Sequence, residues 1–212
     1  MALIYPTTLN PTKYELLAAW LPSQPWFTGD ISALEPVGAY RFDDPAGEVG
    51  MEGHLFIAGD ERIYHAPLTY RAAGFADAES HTLGTTEHGV LGTRWFIDGA
   101  ADPVYRTALA TAIAHGAHGA EEIIEEADGS RRTREPSVRV EGSGRPALTV
   151  PDFGEATIEQ VGERTRIEQD LSVLDVIRVI EPGLRAESDQ LTLSGFWEGQ
   201  TEPAVLALLL VG

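Results

Sequence analysis

The chain has no cysteine, which excludes disulfides and thiolate metal sites together. Lysine is almost missing as well. Lys13 is the only one among fifteen basic residues, the mark of an arginine-favouring, GC-rich coding sequence rather than of a mechanism. Long hydrophobic runs are also lacking: the longest goes from Ala204 to Val211, far short of the roughly 20 residues of a membrane span. The opening Met1–Pro6 has neither the charged nor the apolar region of a signal peptide. The expectation is a soluble, cytoplasmic protein without a membrane partner. Positive charge is scarce throughout: the net charge is −18, with −8 over residues 1–113 and −10 over 114–212. Such a field repels a phosphate backbone, so nucleic acid is excluded as a partner.

What is present suffices for a folded core. With 212 residues and 43% hydrophobic content, the chain is neither disordered nor too short, and can bury about 70% of its unfolded surface. Asn10-Pro11 reads as a helix start, and Leu16, Leu17, Trp20 and Leu21 give that helix one apolar face before Pro22 ends it. Strand-like segments follow at Val37–Phe42, Val49–Ile57, Arg62–Tyr70 and Val90–Ile97, with Gly59-Asp60 as a turn. Asp102-Pro103 opens a second helix, interrupted by Gly116 and Gly119. Glu121–Pro136 is dense in charge and reads as an exposed, partly mobile connection. Beyond it, Ser137–Val140, Ala147–Val150, Ala156–Val161, Arg164–Gln169, Val173–Ile180, Gln190–Trp197 and Ala204–Val211 are short, mostly alternating strands. They predict an all-β second half, a small barrel or curled sheet. The fold class is α+β.

Little of this carries chemistry. Asp152-Phe153-Gly154 copies a kinase triplet, but no catalytic-loop His-x-Asp with a downstream Asn and no Gly-rich loop with a strand lysine accompany it; it reads as a turn. His115 and His118 with Glu121 and Glu122 have helical metal-ligand spacing, yet glycines break the helix that would hold them. Gly142-Ser143-Gly144 lacks the surroundings of a phosphate cradle. No Gly-x-Ser-x-Gly elbow occurs. A branching-enzyme barrel would need about 250 residues. Catalytic residues, cofactors and metals are therefore all assigned as none.

Three motifs remain: Thr7–Trp26, including Asn10-Pro11-Thr12-Lys13 and Trp20-Leu21-Pro22; Pro67-Leu68-Thr69-Tyr70-Arg71; and Gly84–Trp95, including Thr86-Glu87-His88-Gly89. In this order they resemble the N-terminal cap of actinobacterial maltokinases and related glucosamine-type sugar kinases. The closest likeness is to short, free-standing proteins that carry the cap without a kinase. The resemblance covers residues 1 to about 113 and is loose from 137 onward. It implies a cystatin-like antiparallel sheet on a helix over 1–113, a charged connection over 114–136, and over 137–212 a β-rich domain like the region that follows the cap. It also implies a non-catalytic accessory or regulatory protein. Such a protein would contact a sugar kinase or another trehalose, maltose or glycogen enzyme, or a second copy of itself. The alternatives are a sugar-binding module, with Trp26 as stacking platform, and a small enzyme of unknown type. Trp26, Phe27, Tyr70, Arg71, His88 and Arg94 are the expected partner or ligand contacts. Core packing and internal ion pairs are the ordinary roles of such residues.

Overall fold

The computed structural model describes residues 2–4, 9–125 and 130–212. Strands β1 (Ala2–Ile4) and β2 (Leu9–Asn10) precede helix α1 (Lys13–Trp20). Thr12, not Asn10, caps this helix: its hydroxyl accepts from Glu15 N–H, and the Glu15 carboxylate accepts from Thr12 N–H at 2.7 Å. This reciprocal box satisfies two orphan donors, which a lone Asn cannot do. Pro22 sits beyond the helix end, in the 3-10 turn Leu21–Ser23.

Five strands follow: β3 (Leu34–Phe42), β4 (Gly50–Ala58), β5 (Ile63–Arg71), β6 (Thr82–His88) and β7 (Gly92–Asp98). β6 was not expected, and Val90 lies in the β6–β7 turn rather than in a strand. Asp102 caps helix α2 (Pro103–His115) through Val104 N–H at 3.0 Å, and Gly116 closes it. Next come β8 (Glu122–Glu125), β9 (Arg131–Arg134), β10 (Val138–Gly142), β11 (Thr157–Val161), β12 (Arg164–Gln169), β13 (Ser172–Ile177), β14 (Val179–Ile180), β15 (Gln190–Trp197) and β16 (Ala204–Leu210). Glu121–Pro136 thus contains a strand pair, with Glu122 only 3% exposed and tied to Arg134. Glu126 and Asp128 lie outside the described residues. Ala147–Val150 is a loop, because Pro146 and Pro151 bracket it.

One sheet runs β2-β6-β7-β5-β4-β3, with β14 beside the start of β5; a second runs β10-β15-β16-β13-β12-β11; a third, small one is β1-β8-β9. The described chain is therefore mostly antiparallel β, with a curled half-barrel sheet and two α-helices. Strand β4 shows how the cores divide. Met51 and Leu55 join a cluster with Tyr105, Leu109 and Ile113 of α2 and Val176, Leu193 and Leu208 of the second sheet. Phe56 and Ala58 join a different cluster with Leu16, Leu17, Trp20, Trp26, Tyr64 and Phe96. The period-2 alternation of a strand places these sets on opposite faces.

Candidate functional site

Glu52 and His54 sit two apart on β4 and so share a face, where apolar neighbours would be expected. Arg41 of β3 is registered opposite Glu52 and reaches Oε1 at 2.7 Å. On Oε2 converge the ammonium of Lys13 from the first turn of α1, the hydroxyl of Tyr70 from β5, and His54 Nε2 at 3.0 Å. His54 Nε2 also lies 2.9 Å from the Tyr70 hydroxyl, Lys13 lies over the Tyr70 ring at 5.0 Å, and Tyr14 meets His54 edge-on at 6.2 Å.

Glu52 is 5% exposed. Burial opposes its ionisation, but Lys13 and Arg41, with the His54 hydrogen bond, hold its carboxyl well below the usual carboxylate range. Burial also lowers His54, against the pull of Glu52, so this ring is neutral at pH 7 and donates from Nε2. Tyr70 is held well above the ordinary phenol value by burial and by Glu52, and Tyr14 rises to about 12 for the same two reasons. Both oxygens of Glu52 are occupied. The cluster clamps the first turn of α1 to three strands, and it offers no vacant base.

The expected contact residues are dispersed, and most are spoken for. Trp26 requires a correction: it is 2% exposed, packs edge-on against Trp20 at 5.8 Å, and lies under the Arg178 guanidinium at 5.4 Å. The 24–30 loop folds inward because its backbone is bonded, with Phe27 N–H to Gln24 O and Asp30 N–H to Ala58 O. A buried indole then outweighs an exposed one. Phe27 is half-buried, its ring 4.9 Å from that of Tyr64. Arg71 grips Asp102 with two bonds of 2.6 Å, bracing the residue that caps α2. His88 Nδ1 accepts from Val90 and Leu91 N–H and so shapes the β6–β7 turn. Half-buried Arg94 donates to Thr93 O at 3.2 Å.

The Asp152-Phe153-Gly154 triplet is a turn, in which Asp152 accepts from Gly154 N–H, Phe153 is fully buried and Gly154 O takes a bond from Arg106. His115 Nε2 faces Leu148 O at 3.2 Å, while His118 forms an isolated bridge with Glu141. Among the described residues no group of three His, Asp or Glu is placed to hold a metal. Glu52, His54 and Arg41 escaped the sequence reading. For Glu52 and His54 the signal was a polar pair inside the otherwise uncharged stretch Met51–Ile57, a pattern that demands buried partners; Arg41, on another strand, had no such signal.

Residues 20–102 match the model of the maltokinase N-terminal cap domain family. This segment, from the last residue of α1 to the cap of α2, is a maltokinase N-cap-like domain. It holds Glu52, His54, Tyr70 and Arg71, while Lys13 precedes it. No curated protein matches the chain. Among the described residues no helix is long and apolar enough to cross a membrane.

Proposed function

We propose that the chain is a non-catalytic accessory module that acts through protein–protein contact on a sugar kinase or a related enzyme of trehalose, maltose or glycogen metabolism, in the cytoplasm. In this reading, strands β3–β7 with α1 against them are a cystatin-like cap. One observation carries the proposal: the carboxylates that the cap-like segment buries are held by partners within the protein, some of them outside the segment itself. Glu52 is neutralised by Lys13 and Arg41, Arg71 is closed on Asp102, and His88 serves its own turn. A general acid or base must reach a substrate proton, and Glu52 has both oxygens engaged. Burial of Trp26 also removes the stacking platform on which a sugar-binding role would rest.

The test is calorimetric titration of the purified chain into the maltokinase of the same organism, with maltose phosphorylation assayed in parallel. The expected result is saturable binding that alters the kinase rate, with no phosphotransfer by the chain alone. Maltose phosphorylation by the chain alone, abolished by Asp152→Ala, would overturn the reading.

A further inference from the structure

Two large sheets present four edges; β3 and β10 carry bonds from other segments, and β6 is paired in part by the two-residue strand β2. On β3, the Ser137 hydroxyl takes Ala39 N–H at 2.8 Å, and Ala120 N–H donates to Arg41 O at 2.8 Å. On β10, Gly119 N–H donates to Val140 O, Gly142 N–H donates to Ala117 O, and His118 bridges Glu141. On β6, strand β2 covers Glu87 and His88, and Leu16 of α1 lies against Gly84. Along the outer edge of β11, among the described residues, there is no strand and no backbone hydrogen bond.

The hairpin geometry says which groups this edge offers. Gly162 has φ 58° and opens a two-residue turn between Val161 and Arg164. This is the type II′ arrangement, which needs glycine in its first position. Val161 and Arg164 then form a hydrogen-bonded pair, and the inner ladder bonds recur at Glu159 and Thr157. The N–H and C=O of Ile158 and Gln160 point to the open edge. Sheet edges in soluble proteins are usually blunted by lysine, proline, a bulge or a cover. Among the described residues β11 has no lysine, proline, bulge or covering strand; its one charged side chain is Glu159, and its register with β12 is unbroken.

The side chains supply selectivity. Thr157, Glu159 and Val161 are exposed, while Ile158 is half-buried and packs with Phe75 and Trp95 against Ala78, Ile97 and Ala101. At the Thr157 end lies a groove of about 420 Å³ lined by Glu155, Thr157, Glu168, Gln169 and Asp170. Arg166, opposite Glu159, is bonded to Asp175 at 2.9 and 3.0 Å and lies 3.9 Å from Glu168, which leaves Glu155, Glu159 and Asp170 as the acids of this edge without an arginine of their own chain bonded to them among the described residues.

We propose that β11 is a docking edge for an extended basic segment of a partner protein, which adds to the second sheet as a further strand. Apolar side chains of that segment lie on the Ile158 side. Arginine or lysine lies opposite Glu159 and towards Glu155 and Asp170. This is β-augmentation: main-chain bonds supply affinity and alternate side chains supply choice. A second copy is the wrong occupant, because antiparallel pairing of two β11 strands about their centres sets Glu159 against Glu159. Like charges directly opposite destabilise a pair, and each chain already carries −18. The assignment rests on the contact reading above and names the partner's chemistry.

The probe is a capped heptapeptide of alternating arginine and valine, titrated into the ¹⁵N-labelled full chain. A glutamate–valine peptide is the control. Expected are amide shifts at Thr157–Val161 and on β12 with the arginine peptide alone, weakening as salt rises. Glu159→Lys, at an exposed position, leaves the fold intact, lowers arginine-peptide affinity about tenfold and raises that of the glutamate peptide. No saturable binding, shifts centred elsewhere, or unchanged preference in Glu159→Lys overturns the proposal. So does a β11 shift that grows with the chain's own concentration, since the occupant is then a second copy. If the maltokinase binds and the arginine peptide neither binds nor competes, the edge assignment falls and the contact reading stands. If neither binds, both fall.

Discussion

Arg178 Nη2 and Asp98 Oδ2 lie 2.5 Å apart, with both side chains buried, and they join strand β7 to the residue between β13 and β14. Arg178 also donates from Nε to Thr165 at 2.7 Å, and its carbonyl accepts from His65 N–H at 2.8 Å. One fully buried residue thus ties the two large sheets by side chain and by backbone.

Removing either partner of such a pair strands the other charge without water, which costs about 3–5 kcal/mol, whereas replacing both with apolar groups can be near neutral. Arg178→Met and Asp98→Leu should each lower the unfolding free energy by about that amount in urea titrations. The double variant should recover most of the loss. It should stay short of the natural chain by about 1–2 kcal/mol, because Thr165 and the N–H of Ala100 lose their bonds as well. Additive losses in the double variant would show that the pair is not a coupled unit.

Acid should weaken the fold, and His65 should be the first cause. Burial pushes it down to about 3, against the opposing carbonyl of Ile177. The unfolded ring titrates near 6.5, so between these values the unfolded chain binds more protons. Stability is therefore complete above about pH 6.5 and drains as pH falls towards 3, with each tenfold change in proton affinity worth roughly 1.4 kcal/mol. His54 and Glu52, both lowered, act in the same direction, the carboxyl over a more acidic range. The urea midpoint should fall clearly between pH 7.5 and 4.5, and the fall should be smaller in His65→Gln. An equally steep fall in that variant would acquit His65.

Trp26→Ala should act on stability before it acts on any partner. An indole 2% exposed and packed on Trp20, Phe27 and Tyr64 leaves a large cavity when truncated, which costs about 3–5 kcal/mol. Thermal unfolding decides: a change below about 0.5 kcal/mol would return Trp26 to the surface.

Local signals carried much of the fold. Strands β12 and β15 begin and end where their alternation predicts, since a half-buried strand imprints a period of two. Helix α1 announced itself through Leu16, Leu17 and Trp20, and the true cap was legible in the Thr12-x-x-Glu15 spacing. β6 was missed because Thr82–His88 has too few apolar residues to alternate; its pairing with β7 is what makes it a strand. The Glu52 cluster could not be assembled from the sequence. Lys13, Arg41, Glu52 and Tyr70 belong to four different elements, and only the register of β3, β4 and β5 brings them together. The inward turn of Trp26 likewise depends on β5, whose Tyr64 receives it.

Gly53 tests how tightly the first sheet meets the second. Its position on β4 leaves no room for a methyl group: a Cβ there would stand 2.1 Å from Tyr40 Cζ and 2.5 Å from its hydroxyl. Tyr40 cannot swing aside, because its hydroxyl is bonded to His65 Nε2 and to the Tyr105 hydroxyl, each at 3.0 Å, and its side chain is 1% exposed. Overpacking of this kind costs typically 1–3 kcal/mol, and breaking a buried bond adds about 1 kcal/mol. Gly53→Ala should therefore lower the unfolding free energy by about 3 kcal/mol. That outcome would contradict the usual stabilising effect of alanine for glycine through the unfolded chain. Tyr40→Ala opens the space that the new methyl group needs. In a double-mutant cycle the pair should then lose less than the sum of its single losses, with a coupling of at least 1 kcal/mol between the two positions. Strict additivity would mean that β4 shifts rather than strains, and that the Tyr40–His65–Tyr105 chain does not hold the ring in place.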